Sequence, residues 1–159
     1  MTNNKIDEHT ALVLNMAKTL GASSVGITTA DTLGTNDPTA SYEYVLKEAR
    51  SAITFAVPFG GDGFDKVIDS SLSKIDHKTL ETMKIRATTL ANGIAFEMAG
   101  LLNQIDCEAV AVHANYVYRP DKPPEMRVPP LSHKILALRS GVGFAGFSGM
   151  ILTKEICPI

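Results

Sequence analysis

Residues 139–150, RSGVGFAGFSGM, place four glycines within nine positions near the end of the chain. Glycine gives up more conformational freedom on folding than other residues, so this density is typical of a backbone that takes positive φ or is closely approached by another group. The approaching group is either a ligand or another element of the chain, and the pattern leaves both open. The glycines are Gly141, Gly143, Gly146 and Gly149.

The segments on either side of the glycines indicate where this stretch lies in the fold. Residues 131–140 repeat apolar side chains at helical spacing, and residues 150–155 have a strand pattern. The stretch is therefore predicted to end a helix and to open a strand. It contains GxGxxG, but the dinucleotide fingerprint needs a strand before it and a helix after it. Because the order is reversed here, a dinucleotide site is disfavoured.

Helical and strand patterns alternate irregularly along the rest of the chain. With 159 residues and no internal repeat, the sequence predicts a single domain over residues 1–159. The irregular order favours an α/β (α+β) fold in which helices flank a mixed sheet. The remaining predicted helices cover residues 6–20, 42–49 and 77–105, and the remaining predicted strands cover residues 22–28, 51–57 and 107–113.

Three local expectations concern packing. Residues 51–57, SAITFAV, are apolar nearly throughout, which is typical of a strand buried on both faces. Gly93 and Gly100 interrupt the long helix, so we expect them to allow close packing of a neighbouring element. Cys107, which starts the strand at 107–113, is expected to be a small buried hydrophobe.

Composition excludes several classes of protein. The chain is 45% hydrophobic and 20% charged with a net charge of -2, which is typical of a globular protein and does not favour nucleic acid as a partner. No apolar run reaches the roughly 18 residues of a membrane span and the N-terminus has no signal core, so we expect a cytoplasmic protein that does not bind membranes. Neither the two cysteines nor the four histidines have metal-ligand spacing, so no metal site is expected.

Charge is uneven along the chain. Residues 1–118 carry 9 basic and 14 acidic side chains, whereas residues 119–159 carry 6 and 3, and five prolines stiffen residues 115–130. A basic patch beside glycines with free N–H groups predicts an anion or cofactor site, and the alternative is a solvated face. Tyr116 and Tyr118 are weak candidates for a catalytic proton donor. The candidate cofactor-binding residues are Arg119, Arg127, His133, Arg139, Gly141, Gly143, Gly146, Ser148 and Gly149.

Three blocks of the sequence carry a family resemblance: residues 17–27 (AKTLGASSVGI), 48–58 (EARSAITFAVP) and 131–153 (LSHKILALRSGVGFAGFSGMILT). They resemble the N-terminal domain of the cobalamin-dependent iron–sulfur reductases, the group that holds epoxyqueuosine reductase and the reductive dehalogenases. The resemblance implies a nitroreductase-like fold whose glycine turn and neighbouring loops cover a corrinoid.

The chain departs from this family in two places. The family continues into a ferredoxin-like domain with CxxCxxCxxxCP motifs, but this sequence ends in ICPI, so we expect no iron–sulfur cluster in it. Arg127 aligns with the acidic proton donor of the epoxyqueuosine reductases and cannot do its work.

The resemblance implies a stand-alone cobalamin-binding domain that needs a separate ferredoxin-like protein for any reduction, and hence an oxidoreductase component that is incomplete alone. An alternative is a non-catalytic scaffold that has kept the fold and lost the cofactor. A homodimer is expected under either interpretation, because a lost domain leaves apolar surface to be covered. Flavin binding is a third possibility, by fold analogy alone.

Overall fold

The computed structural model describes residues 2–34, 37–59, 77–113, 118–147 and 151–153. These residues form a mixed structure of helices and small antiparallel sheets. The helices are α1 (Thr2–Thr19), α2 (Ala30–Leu33), α3 (His77–Gln104) and α4 (His133–Arg139), with short 3-10 turns at Pro38–Ala40, Tyr42–Tyr44 and Pro124–Met126. The strands are β1 (Ser24–Thr29), β2 (Ser51–Ala56), β3 (Phe144–Ala145) and β4 (Ile151–Leu152).

The strongly periodic segments form the predicted helices. The predictions for residues 6–20, 77–105 and 131–140 are confirmed by α1, α3 and α4. The predicted helix at 42–49 is wrong beyond its first turn, because only Tyr42–Tyr44 is helical and Glu48 takes a left-handed backbone with φ 65°. The short helix α2 follows β1 directly, and its first turn is capped by Thr29.

The first sheet is an antiparallel pair, with Ser24 opposite Ala56 and Thr29 opposite Ser51. Just beyond it, the N–H of Ala30 donates to the carbonyl of Arg50 (3.1 Å). Because bonded and non-bonded pairs alternate in such a ladder, the backbone groups of Ala52, Thr54 and Ala56 point toward β1. Those of Ser51, Ile53 and Phe55 point away from it, and no described residue pairs with them.

Helices cover both faces of this sheet. On one face, Ile53 and Phe55 pack with β1 side chains against the buried residues Val13 and Ala17 of α1 and Ile94 and Met98 of α3. On the other face the side chains are small, and Gly26 lies against the backbone of Ser140 at the end of α4. A second buried cluster joins α2, Tyr42 and α4 beside the sheet.

Several expectations about packing are wrong. Residues 107–113 are not a strand, and Cys107 is exposed because the chain leaves α3 along the surface instead of entering the sheet. A Cβ at Gly93 or Gly100 would meet nothing within 4 Å in the described part of the chain, so no described element approaches either glycine closely. Within β2 only Thr54 is buried, whereas Ser51 is exposed and the rest are half-buried.

The C-terminal region contains a pair of short strands, β3 and β4, of which only β4 falls in a predicted strand. Phe144 pairs with Leu152 and Ala145 with Ile151, so the expected order of helix, glycine turn and strand is confirmed for the residues described. Residues 154–159, which include the end of the predicted strand, lie outside the described part of the chain. None of the helices described is both long and apolar enough to cross a membrane.

Candidate functional site

A groove with a volume of about 750 Å³ runs along the outer edge of β2. Its lining includes Ser51, Ile53 and Phe55, the three residues whose backbone groups point away from β1. A small-residue face of α3 forms one wall, and the chain that follows α3 forms the opposite wall. We call this second wall the 107–112 segment. The lining from α3 includes Ala91, Ala95, Met98 and Ala99.

The end of α3 directs the chain into the 107–112 segment. The N–H of Cys107 donates to the carbonyl of Leu102 (3.0 Å) and that of Asp106 to the carbonyl of Asn103 (3.3 Å). With Asp106 at φ 59°, these bonds form the Schellman motif that ends many helices. The motif turns the chain back beside α3.

Two side chains hold the 107–112 segment in place. Asn103 Nδ2 donates to the carbonyl of Ala109 (2.9 Å), and Asn103 Oδ1 accepts from the N–H of the same residue (3.0 Å). Further along, His133 Nε2 lies 3.3 Å from the carbonyl of Val112. These contacts satisfy backbone groups that a sheet would otherwise pair.

Among the predicted site residues that the structure describes, only His133 is in the groove lining. It begins α4, where the side chain of Ser132 caps the helix by accepting from the N–H of Ile135 (3.4 Å). Burial lowers the pKa of His133 below its usual value of 6.5, against the opposing effect of hydrogen bonds to backbone carbonyls. The imidazole is therefore uncharged at neutral pH.

Charged side chains lie at the groove beside its apolar walls. The turn before β2 contributes Lys47, Glu48 and Arg50, and Glu108 comes from the 107–112 segment. Thr54 is 7% exposed, and its hydroxyl makes no hydrogen bond. The groove thus combines aliphatic walls, unpaired backbone groups along one edge and charges of both signs.

In the glycine turn, the group that approaches the backbone is another element of the chain. A Cβ on Gly143 would lie 2.5 Å from Ile151 Cγ2 and 2.6 Å from the carbonyl oxygen of Leu152, so the approaching group is β4. Gly141 has φ 73°, as expected for a residue that ends a helix. The expectation of free N–H groups is wrong here, because Gly141 donates to Leu138 (3.4 Å) and Gly143 to Ala137 (3.2 Å).

Arg119 bonds within its own loop. Its Nε and Nη2 donate to the two carboxylate oxygens of Asp121 (3.0 and 2.6 Å), and its guanidinium lies 3.9 Å from the centroid of the Tyr44 ring. The hydrogen bonds from Arg119 lower the pKa of Asp121 to about 2. This cluster fastens the proline-rich loop to the turn before β2.

The other predicted site residues that the structure describes do not line the groove. Arg127 and Tyr118 are exposed in the proline-rich loop, and Arg139 is exposed in the last turn of α4. Gly146 is half-buried in the glycine turn, beside exposed Phe144 and Phe147. Tyr116, Ser148 and Gly149 lie outside the described residues.

Sequence reasoning missed the groove, although a signal for it was present. Residues 51–57 and 107–113 both had strand patterns and were separated by a long helix, which is the order of a parallel βαβ unit. Such a pairing would have drawn attention to the edge of β2.

Across the described ranges, no group of three or more His, Cys, Asp or Glu side chains is arranged to hold a metal ion. Comparisons with protein families, curated proteins and solved structures find no match to this chain.

Proposed function

We propose that this chain is a corrinoid-binding domain and that the groove along β2 holds the cofactor. The observation that carries the proposal is the combination of apolar walls with an edge of unpaired backbone groups. The groove has a volume of about 750 Å³, which lies within the roughly 300–1,000 Å³ typical of small-molecule sites. Resemblance to the cobalamin-dependent reductases suggests which ligand to test first.

The chemistry of the groove fits a corrinoid. A corrin ring is broad and flat, and carboxamide side chains surround its edge. Aliphatic walls that include Ala95 and Ala99 suit the ring, while the outward N–H and C=O groups of Ser51, Ile53 and Phe55 suit the carboxamides. His133 adds an uncharged imidazole to the lining.

A bound corrinoid would supply redox chemistry at cobalt, and the protein would supply binding, orientation and exclusion of water. In this proposal the domain is a cytoplasmic oxidoreductase component with a nitroreductase-like fold. Its electrons come from a separate ferredoxin-like protein. The uncharged imidazole of His133 and the apolar walls keep the groove a weakly hydrated environment.

A second candidate function is a homodimeric scaffold without a cofactor. The unpaired edge of β2 favours it, because an exposed strand edge is a template for pairing with another chain. A second copy that covers this edge would bury the groove and leave no room for a ligand. The two candidates therefore make opposite predictions for the same surface.

Reconstitution with hydroxocobalamin followed by gel filtration tests the proposal. We expect corrinoid absorbance to elute with the wild-type protein and with Thr89→Trp, which adds an indole at an exposed position of α3. Ala95→Trp fills the groove and should abolish co-elution. If no corrinoid absorbance travels with the wild-type protein, the proposal fails. A colourless dimer would support the scaffold, and a yellow protein would support flavin binding.

A further inference from the structure

We propose that the 107–112 segment has a second position, in which it pairs with the outer edge of β2 as a third strand and closes the groove. The inference goes beyond the proposed function, because it rests on the backbone groups of β2 and of the 107–112 segment and needs no ligand. The proposed partner of the outer edge of β2 is therefore a segment of this chain.

Chain topology supports the pairing. β2, α3 and the 107–112 segment follow one another along the sequence, and α3 packs on the face of the sheet that holds Ile53 and Phe55. A strand, a helix on one face and a second strand form the usual βαβ unit, whose strands are parallel. In the described structure only the last step of that unit, the docking of the second strand, is missing.

Both prospective partners have unpaired backbone groups. The outward N–H and C=O groups of Ser51, Ile53 and Phe55 have no partner among the described residues, and the 107–112 segment lines the groove that borders them. The sequence of this segment, CEAVAV, alternates as a strand does. Pairing would extend a two-stranded sheet, which is only marginally stable as such, to three strands.

Beyond the backbone bond from Cys107 to Leu102, the hydrogen bonds that the structure describes for this segment are made to side chains. Asn103 bonds Ala109, and His133 contacts Val112. Near the segment, the ring of His113 packs edge-on against exposed Phe96, with centroids 5.0 Å apart. Backbone hydrogen bonds to β2 would replace the hydrogen bonds to Asn103 and His133. Movement of the segment into the groove would also bury Val110, which is now 49% exposed.

Hydrogen exchange of the unliganded full chain, followed by NMR, tests the inference. Amides of Ala52, Thr54 and Ala56 bond to β1 in either state and serve as internal controls. If the segment is docked in nine molecules of ten, exchange at Ser51, Ile53 and Phe55 slows about tenfold relative to an unpaired edge. Cross-strand NOEs between residues 51–55 and 107–112 should accompany the protection.

Exchange of the three outward amides as fast as in an unstructured peptide, without those NOEs, would overturn the inference. Protection that disappears on dilution would also overturn it, because a second copy would then be the occupant. Closure fills the cavity, so hydroxocobalamin should remove the cross-strand NOEs if it binds in the groove. NOEs that persist on adding hydroxocobalamin would count against the proposed function and leave the closure intact.

Discussion

Gly26 of β1 lies so close to Ser140 that a Cβ at position 26 would overlap the carbonyl oxygen at the end of α4. This contact fixes α4 on the small-residue face of the first sheet. Through α4 it also fixes His133, which lines the groove. The backbone contact at Gly26 therefore helps to position the candidate site.

Gly26→Ala should lower the free energy of unfolding by about 1–3 kcal/mol, because the new methyl group must push β1 and α4 apart. Gly93→Ala is the matched control, since a Cβ there meets nothing and alanine favours the helix by about 0.5–1 kcal/mol. Urea denaturation of both variants measures the difference. Equal effects of the two substitutions would contradict the packing of α4 on β1.

Asp106→Gly should stabilise the protein by roughly 0.5–1 kcal/mol, because Asp106 takes a left-handed conformation that glycine adopts without strain. Removing a negative charge from the C-terminal end of α3 adds to the effect. The control is Glu108→Gly, where φ is not positive and glycine should be neutral or destabilising. Thermal unfolding compares the two, and a loss of stability in Asp106→Gly would count against the Schellman geometry.

Asp121→Asn should destabilise the protein at neutral pH, and the effect should shrink as the pH is lowered toward and through 2. Hydrogen bonds from Arg119 lower the pKa of Asp121 to about 2, from a usual value of 3.8. A carboxylate with a depressed pKa contributes stability above its unfolded pKa and loses it as pH falls through the folded value. Denaturation at several pH values between 7 and 2 measures this. Glu125→Gln, at an exposed carboxylate of the same loop, should behave as wild type throughout.

His133→Gln should flatten the loss of stability on the acid side of neutrality. Burial lowers the pKa of His133 below 6.5, so the folded state binds fewer protons than the unfolded state. Its contribution is complete above pH 6.5 and is lost as pH falls toward the folded pKa. Urea denaturation at pH 7 and pH 5 compares the variant with His9→Gln, an exposed histidine. An unchanged pH dependence in His133→Gln would show that burial of the ring is not the cause.

Helices were predictable from the sequence because their apolar spacing is local information. α1, α3 and α4 each repeat apolar residues at threes and fours, and each forms near the expected bounds. The density of glycine also indicated a close approach, which Gly143 makes. That the approaching element is β4 could not be predicted, because a tertiary contact is not contained in any local sequence pattern.

The prediction of a strand at 107–113 was wrong because a strand, unlike a helix, depends on a partner. Here the side chains of Asn103 and His133 take the backbone bonds of Ala109 and Val112 that a ladder would have provided. The local contacts of the basic patch were not predictable for a related reason. Charge counts revealed Arg119 but not that Asp121 and Tyr44 hold it.

The most direct test of the groove as a cofactor site is a chemical-shift titration of backbone amides with hydroxocobalamin. We expect the largest chemical-shift changes at the amides of Ser51, Ile53 and Phe55 and along residues 107–112. Shifts confined to the glycine turn around Gly141 and Phe147, or no shifts at saturating hydroxocobalamin, would contradict it.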